Sequence, residues 1–336
     1  MKVIIQIPCY NEEGTLGVTL SELPRYLPEA GPVEWLIIDD GSTDQTVEVA
    51  RDHGADHVVR LHSNRGLAEA FMTGLKASLA RGADIIVNTD ADNQYCAADI
   101  GKLIAPILSG KAEIVVGTRP IETIATFSST KKLLQKFGSA VVRFLSGVDI
   151  ADAPCGFRAI SRDAALRIEI FGRYTYTLEM IIQAGQKGIA VVSVPIRVNP
   201  DLRPSRLVKS SWNYASRSAR TMIRIFALYQ PSRFFAVGGA IPLVTGALLS
   251  LRWLYLYWFD YPSSGRTHIP SLIAAAVLIL AGLQLWVLAF IADLQLANRI
   301  LLEESNYHIR KQALAPLEEA AGRGKPVKVR PFGEGQ

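Results

Sequence analysis

Residues 84–95 read DIIVNTDADNQY, an apolar run that ends in two carboxylates one residue apart. A Val/Ile run without polar alternation indicates a strand covered on both faces, the pattern of a buried and largely parallel sheet. Five further stretches have the same character: KVIIQIP (2–8), EWLIIDD (34–40), HVVRLH (57–62), EIVVGTR (113–119) and IAVVSVPIRV (189–198). Helical patterns lie between several of them, over 44–53 and 66–81. Alternating β and α predicts an α/β layered domain over residues 1–202. Ligands of such a sheet sit outside the carboxyl ends of its strands. IPCYNEE (7–13), IIDDGSTD (37–44) and NTDADNQY (88–95) all fall there, so the three polar clusters are expected to converge on one edge.

In an extended segment alternate side chains share a face, which puts Asp90, Asp92 and Gln94 together. Two close carboxylates repel unless a cation lies beside them. Mg²⁺ or Mn²⁺ fits such a site, because hard divalent ions take one or two carboxylates and complete their shell with substrate phosphates. A D-x-D triplet alone is usually a solvated turn; its place at a buried strand end, beside two other acidic strand ends, favours the functional reading. In IIDDGSTDQT, Gly41, Ser42 and Asp44 read as a turn and helix cap. The doubled Asp39-Asp40 exceeds what a cap needs, and an acceptor for a base or ribose would account for it. In IPCYNEEGT, Pro8 is expected to end the first strand. Tyr10 offers a flat face to a nucleobase, with plain packing equally open, and Glu12 offers an acceptor to hydroxyls. No G-x-G-x-x-G or G-x-x-x-x-G-K-[ST] follows any strand, so the common dinucleotide and P-loop fingerprints are missing.

The remainder of the 336-residue chain is of another kind. The net charge is +5, and residues 201–336 carry 16 Lys/Arg against 8 Asp/Glu, whereas residues 1–200 carry 20 against 23. Residues 203–233 hold seven basic residues and no acidic one, with apolar positions at helical spacing. This predicts a basic juxtamembrane amphipathic helix at an anionic membrane surface and argues against a nucleic-acid partner. Two apolar stretches, 234–259 and 269–292, are long enough to cross a bilayer and define a hairpin within 234–298. The basic flanks predict an integral protein of the cell membrane, with the α/β domain and both termini cytoplasmic. The tail, 299–336, ends in the Gly/Pro/basic run AAGRGKPVKVRPFGEGQ and is expected to be disordered beyond about Ile309. Self-association could run through Gly238, Gly239, Gly246 and Gly282, giving a homo-oligomer. Cys9, Cys96 and Cys155 lack C-x-x-C spacing and read as small buried residues of a reducing compartment.

The series PCYNEE, IIDDGSTDQT, DADNQ and GTR, followed by DAPCGFRAISR and RPSRLVKS and then two apolar spans, resembles the inverting family 2 glycosyltransferases of GT-A fold. Within them it is similar to the polyprenyl-phosphate glycosyltransferases, the dolichyl-phosphate mannose synthase group. The match covers roughly residues 1–300. The resemblance implies that Pro8, Tyr10, Glu12, Asp39 and Asp40 hold the nucleoside of an NDP-sugar. It implies that Asp92 and Gln94 lie on the metal, with Asp90 and Ala91 nearer the nucleotide. Arg119, and Lys131 or Lys132, match basic positions near the acceptor phosphate; Arg203 and Arg206 match a basic loop that contacts diphosphate or lipid phosphate. Two departures stand out. Asn93 replaces the small or apolar residue usual in D-A-D-x-Q, and GRYTYTLEM (172–180) lacks the lysine of some mannose synthases, which argues against GDP-mannose.

The reaction so implied is NDP-sugar plus polyprenyl phosphate giving polyprenyl-phosphate sugar plus NDP. A phosphate acceptor is already anionic at neutral pH, so no general base is assigned. A polysaccharide-elongating synthase of the same family is a competing reading, but the Q-x-x-R-W motif such enzymes carry is missing. A catalytically silent, membrane-anchored nucleotide-binding protein is another, and intact Asp40, Asp90, Asp92 and Arg119 argue against it.

Overall fold

The computed structural model describes residues 1–120, 138–144, 146–170, 176–200, 223–224, 226–261 and 267–322. The chain divides into two compact units: Met1–Ser218 with Glu303–Gln336, and Ala219–Leu302.

The first unit is built on one sheet. Strand β1 (Val3–Cys9), buried at all seven positions, lies between β3 (Gly31–Asp39) and β5 (Ile85–Asn88) and runs parallel to both. On the far side of β3 come the parallel β4 (His57–Arg60) and the two-residue antiparallel β2 (Tyr26–Leu27). Beyond β5 the order is β7 (Arg158–Ser161), β6 (Ile114–Thr118) and β8 (Val191–Pro195). β7 is antiparallel to β5 and to β6, so the sheet is mixed, with parallel pairing on either side of β7. The six expected strands are present. The additions are the two-residue β2 and β7, the latter hidden in the sequence by Arg158. That guanidinium is fully buried and is satisfied by the carbonyls of Cys155, Ala153 and Thr177 at 2.8, 2.6 and 2.8 Å.

Pro8 does not end β1, contrary to expectation. Pairing with β3 continues to Cys9↔Asp39, whereas pairing with β5 stops at Gln6↔Asn88. Gln6 O accepts from Thr89 on the β5 side, and Cys9 O accepts from Asp40 on the β3 side. Pro8 shares the parity of Gln6, so its missing N–H faces the side where the ladder has already closed.

Helices α1 (Leu16–Glu22), α2 (Thr46–Asp52), α3 (Leu67–Ala80), α4 (Ile100–Leu108), α5 (Arg162–Arg167) and α6 (Tyr176–Gln186) cover the sheet. α2 and α3 are the helices expected over 44–53 and 66–81. α3 buries Phe71, Met72, Leu75 and Leu79. Gly74 lets it lie close on β1, since a Cβ there would meet Gln6 Oε1 at 2.5 Å.

The second unit contains two helices long and apolar enough to cross a membrane, as expected: α7 (Pro231–Phe259) and the membrane-length part of α8 (Ile269–Gly322). Their small residues are spent within the hairpin. A Cβ on Gly239 would meet Trp286 at 2.6 Å, one on Gly246 would meet Ile279 at 2.8 Å, and one on Gly282 would meet Gly239 O at 2.8 Å. Three of the four glycines expected to serve self-association therefore face the sister helix of the same chain; Gly238 has open space around it.

α8 also runs further than the sequence suggested, past Ile309 to Gly322. Helix-favouring Leu, Ala, Glu and Gln sustain it. Its Glu303–Leu314 segment belongs to the first unit, where it docks on α5, α6 and their flanks. Lys187 Nζ pairs with Glu303 at 2.8 Å, Tyr307 Oη donates to Asp163 at 2.8 Å, Arg310 Nη2 donates to Glu169 at 2.5 Å, and Leu314 is buried. The tail beyond 322, most of the basic stretch 203–233, and Lys131, Lys132, Arg203 and Arg206 lie outside the described residues.

Candidate functional site

β1, β3, β5 and β6 run in one direction, so Cys9, Asp39, Asn88 and Thr118 end on the same edge of the sheet. The loops that follow carry the candidate residues. The β1 and β3 loops are stitched together. Ser42 Oγ accepts from Asn11 N at 2.9 Å and Thr46 Oγ1 from Glu12 N at 2.8 Å. In return Asn11 Oδ1 accepts from Thr43 N at 2.8 Å and Glu13 from Gln45 N at 2.9 Å. The G-S-T-D-Q-T polar residues, expected to cap the next helix, thus chiefly fix the neighbouring strand-end loop.

The doubled aspartates have local partners. Asp40 accepts from the backbone N–H groups of Arg65 at 2.7 Å and Gly66 at 2.8 Å, one on each oxygen, at the start of α3. Asp39 accepts from Ser42 N at 3.0 Å, and Arg60 Nε stands 3.1 Å from its other oxygen without good hydrogen-bond alignment. Both carboxylates are buried. Ser42 and Arg60, the partners of Asp39, line a cleft of about 450 Å³ together with Gly41, Thr43, Leu61 and His62. Pro8 is buried in the strand, Tyr10 is 41% exposed, and Glu12 takes a hydrogen bond from Thr15 Oγ1 at 2.8 Å.

After β5 the chain carries the paired carboxylates. Ala91 O accepts from Thr19 Oγ1 at 2.9 Å, and Asp92 Oδ1 accepts from Gln94 N at 3.2 Å. Asn93, buried, has φ +55°. That left-handed conformation suits Gly and, after it, Asn or Asp, so Asn93 has a backbone reason to occupy the variable place in D-A-D-x-Q. The segment after β8 zips along this turn. Asn199 N donates to Gln94 O at 2.9 Å, Cys96 N donates to Arg197 O at 3.3 Å, and Tyr95 bridges Val198. Asp99, fully buried, locks the arrangement through Arg197 N at 2.7 Å, Arg197 Nη2 at 2.9 Å and Lys102 Nζ at 2.7 Å. Those donors overcome the opposing effect of burial and hold the Asp99 carboxyl at about 2.

Asp90 is the electrostatic centre. Burial and the neighbouring Asp92 push its carboxyl up to about 7, Tyr95 and Arg119 pull it down, and Glu12 pushes it up again. Glu12, Asp92 and Arg119, on the loops after β1, β5 and β6, thus all act on Asp90. Arg119 does not project freely. Its Nε and Nη2 donate to Asp152 at 2.7 and 3.0 Å, and its backbone N at 3.3 Å. Burial opposes its charge, yet Tyr95 and Asp152 raise its pKa further.

Three contributors escaped the sequence reading: Asp152, which holds Arg119; Tyr95, which pulls the Asp90 carboxyl down; and Gly156, whose N–H reaches the Tyr95 hydroxyl at 3.1 Å. Asp152 and Gly156 belong to DAPCGF, which had been noticed only as a family string. Among the described residues no group of three or more His, Cys, Asp or Glu is arranged to hold a metal ion. A carboxylate whose charge is opposed by burial and by a second carboxylate two residues on nevertheless suits a divalent cation that draws its other ligands from substrate phosphates.

Comparison with known proteins places this geometry. Residues 4–168 match the family model described as glycosyl transferase family 2. The undecaprenyl-phosphate mannosyltransferase of Micrococcus luteus is 29% identical over 206 residues, covering 58% of this chain and 83% of that protein. The UDP-N-acetylglucosamine–dolichyl-phosphate N-acetylglucosaminyltransferase of Methanococcus voltae is 30% identical over 220 residues, covering 58% and 84%. Among solved structures, glucosyl-3-phosphoglycerate synthase from Mycobacterium tuberculosis, in complex with Mn²⁺, UDP and glucosyl-3-phosphoglycerate, superposes with a TM-score of 0.52. It is 21% identical, covering 67% of this chain and 79% of that one, a likeness of fold.

Proposed function

The chain belongs to the family 2 glycosyltransferases, and on that premise we propose that it moves a sugar from an NDP-sugar to a polyprenyl phosphate, inverting the anomeric carbon. The observation that carries this reading is that β1, β5 and β6 end on one sheet edge and so bring the loops of Glu12, Asp90, Asp92 and Arg119 there, in a chain that also has two membrane-length helices. Relatives named for transfer to undecaprenyl and dolichyl phosphate support the acceptor class.

The nucleoside lies against Tyr10, with Pro8, Glu12, Asp39 and Asp40 around it. Asp39 also stands against Arg60, which lines the neighbouring cleft, and Asp40 ties down the backbone at 65–66. Asp90, Ala91, Asp92 and Gln94 face the donor diphosphate. Asp92, with Asp90 and Gln94, would hold Mg²⁺ or Mn²⁺; such an ion supplies positive charge where the diphosphate departs.

Transfer is a displacement. An oxygen of the acceptor phosphate forms the new bond to the anomeric carbon as the bond to the donor diphosphate breaks, and the electron pair leaves with the NDP. The acceptor oxygen is anionic at neutral pH, so no proton has to be removed. Arg119, made rigid by Asp152, contributes a fixed positive charge between donor and acceptor, the preorganised kind that counts most in a water-poor site. Lys131, Lys132, Arg203 and Arg206 are proposed to meet the acceptor phosphate.

The α/β domain, residues 1–202 of the chain, works at the cytoplasmic face with both termini on that side, held there by the hairpin of 234–298 and the basic stretch of 203–233. The membrane part raises the effective concentration of an acceptor whose phosphate lies at head-group level. The test is a panel of UDP- and GDP-sugars offered to the purified full chain with a polyprenyl phosphate, with and without chelator. Lipid-linked sugar from one donor, abolished by the chelator, is expected; no transfer to any polyprenyl phosphate would refute the reading.

A further inference from the structure

Tyr95 is a buried tyrosine beside the carboxylate pair that belongs to neither the donor cleft nor the acceptor side. Its ring is buried and stacks on Phe157, with centroids 5.1 Å apart and planes within 4°. That stack fixes where the hydroxyl can be. The Gly156 N–H donates to the hydroxyl oxygen at 3.1 Å, which leaves the tyrosine's single proton for another acceptor, and the Asp90 carboxylate, which lies against the same glycine, is the neighbouring acceptor. Gly156 also comes close to Asp90 on its own account. A Cβ there would sit 3.0 and 3.1 Å from the two carboxylate oxygens and 3.2 Å from the Tyr176 hydroxyl. The approach to β7 therefore brings the Tyr95 hydroxyl and the Asp90 carboxylate to one glycine, whose backbone lies nearer than any side chain would allow.

We propose that Tyr95 is a positioning residue for Asp90: held by Phe157 and polarised by the Gly156 N–H, it gives its proton to the carboxylate and sets the orientation in which the Asp90/Asp92 pair receives a divalent cation with the donor diphosphate. This rests on the function proposed above, and it assigns a role to the residue that follows D-A-D-N-Q. A hydrogen bond to a charged group of this kind changes an equilibrium by roughly ten- to hundredfold when it is lost.

The experiment compares the full-length wild type with Tyr95→Phe, Tyr176→Phe and Asp92→Asn. Mn²⁺ uptake is read by electron paramagnetic resonance in the presence of UDP or GDP, and folding by circular dichroism and thermal unfolding. Tyr95→Phe keeps the ring stack and removes only the hydroxyl. Tyr176→Phe removes another buried hydroxyl nearby, one bonded to Asn88 at 2.9 Å, and so reports what mere loss of a core hydroxyl does. The expected result is Mn²⁺·nucleotide affinity reduced about tenfold or more in Tyr95→Phe and unchanged in Tyr176→Phe, both variants being folded. Wild-type affinity in Tyr95→Phe, or an equal loss in both tyrosine variants, overturns the proposal. If Asp92→Asn also binds Mn²⁺ like the wild type, or the wild type takes up none, the site reading beneath it fails instead; loss in Asp92→Asn with none in Tyr95→Phe sinks the positioning role alone.

Discussion

Asp152 grips Arg119 with both carboxylate oxygens, at 2.7 Å from Nε and 3.0 Å from Nη2, in a place where Asp152 is fully buried and Arg119 nearly so. The pair turns a flexible cation into a fixed one. Breaking a buried pair leaves an uncompensated charge and costs about 3–5 kcal/mol. Asp152→Ala should therefore lower the unfolding midpoint markedly in a thermal melt. Arg119→Lys keeps the charge but cannot make the two-point contact, so it should fold while losing transfer rate by about a hundredfold. Wild-type turnover in Arg119→Lys would show that the fixed guanidinium is not needed.

Asp99 makes a pH-dependent contribution. Its carboxyl is held at about 2, below the ordinary value of 3.8, by Arg197 and Lys102 against the effect of burial. A depressed carboxyl stabilises the fold above its unfolded pKa, and that stability is lost as pH falls from about 4 through about 2. The stability involved is roughly 2 kcal/mol. Asp99→Asn should be less stable at neutral pH and show a flatter decline between pH 5 and pH 2 than the wild type. Parallel melting curves for the two proteins across that range would contradict the assignment.

Asn93 should tolerate exchange by backbone logic rather than by size. At φ +55° a β-branched side chain is strained by about 1–2 kcal/mol. Asn93→Gly should keep transfer activity, whereas Asn93→Val should be less stable by that amount in chemical denaturation and shift Asp92 and Gln94 with it. Equal stability of the two variants would remove the conformational argument.

The docked part of α8 offers a charge-swap test. Arg310 and Glu169 are each partly exposed, so their pair contributes on the order of 1 kcal/mol or less. Arg310→Glu places two acids together and should increase hydrogen exchange in α5 and α6. Adding Glu169→Arg should restore protection. Exchange unaffected by either change would mean that the segment is not held there by this contact.

What could be read in advance, and what could not, follows from range. Continuous Val/Ile runs marked β1, β3, β4, β5, β6 and β8, and strand-end acids marked the working edge, because both signals are local. β7 was invisible because Arg158 interrupts its short apolar run, and only carbonyls brought from Cys155, Ala153 and Thr177 make that arginine a core residue. The partners of Asp39 and Asp40 at Arg60, Arg65 and Gly66 lie some twenty residues on, beyond the reach of any local signal. Asp152 and Tyr95 gain their roles from Arg119 and Asp90, neighbours in space that no spacing rule connects. The glycines of α7 and α8 announced close packing correctly, but sequence could not tell a sister helix from a second copy. Helix α8 outran its apolar stripe because Tyr307 and Arg310 find partners on the α/β unit.

The central claim is that two acids at the end of β5 let a sugar's diphosphate depart beside a lipid phosphate. Asp90→Asn/Asp92→Asn in the full-length chain, assayed for formation of polyprenyl-phosphate sugar from the preferred donor, tests it most directly. The account predicts a fall of at least a hundred- to thousandfold with the fold intact by circular dichroism; turnover at the wild-type rate would contradict it.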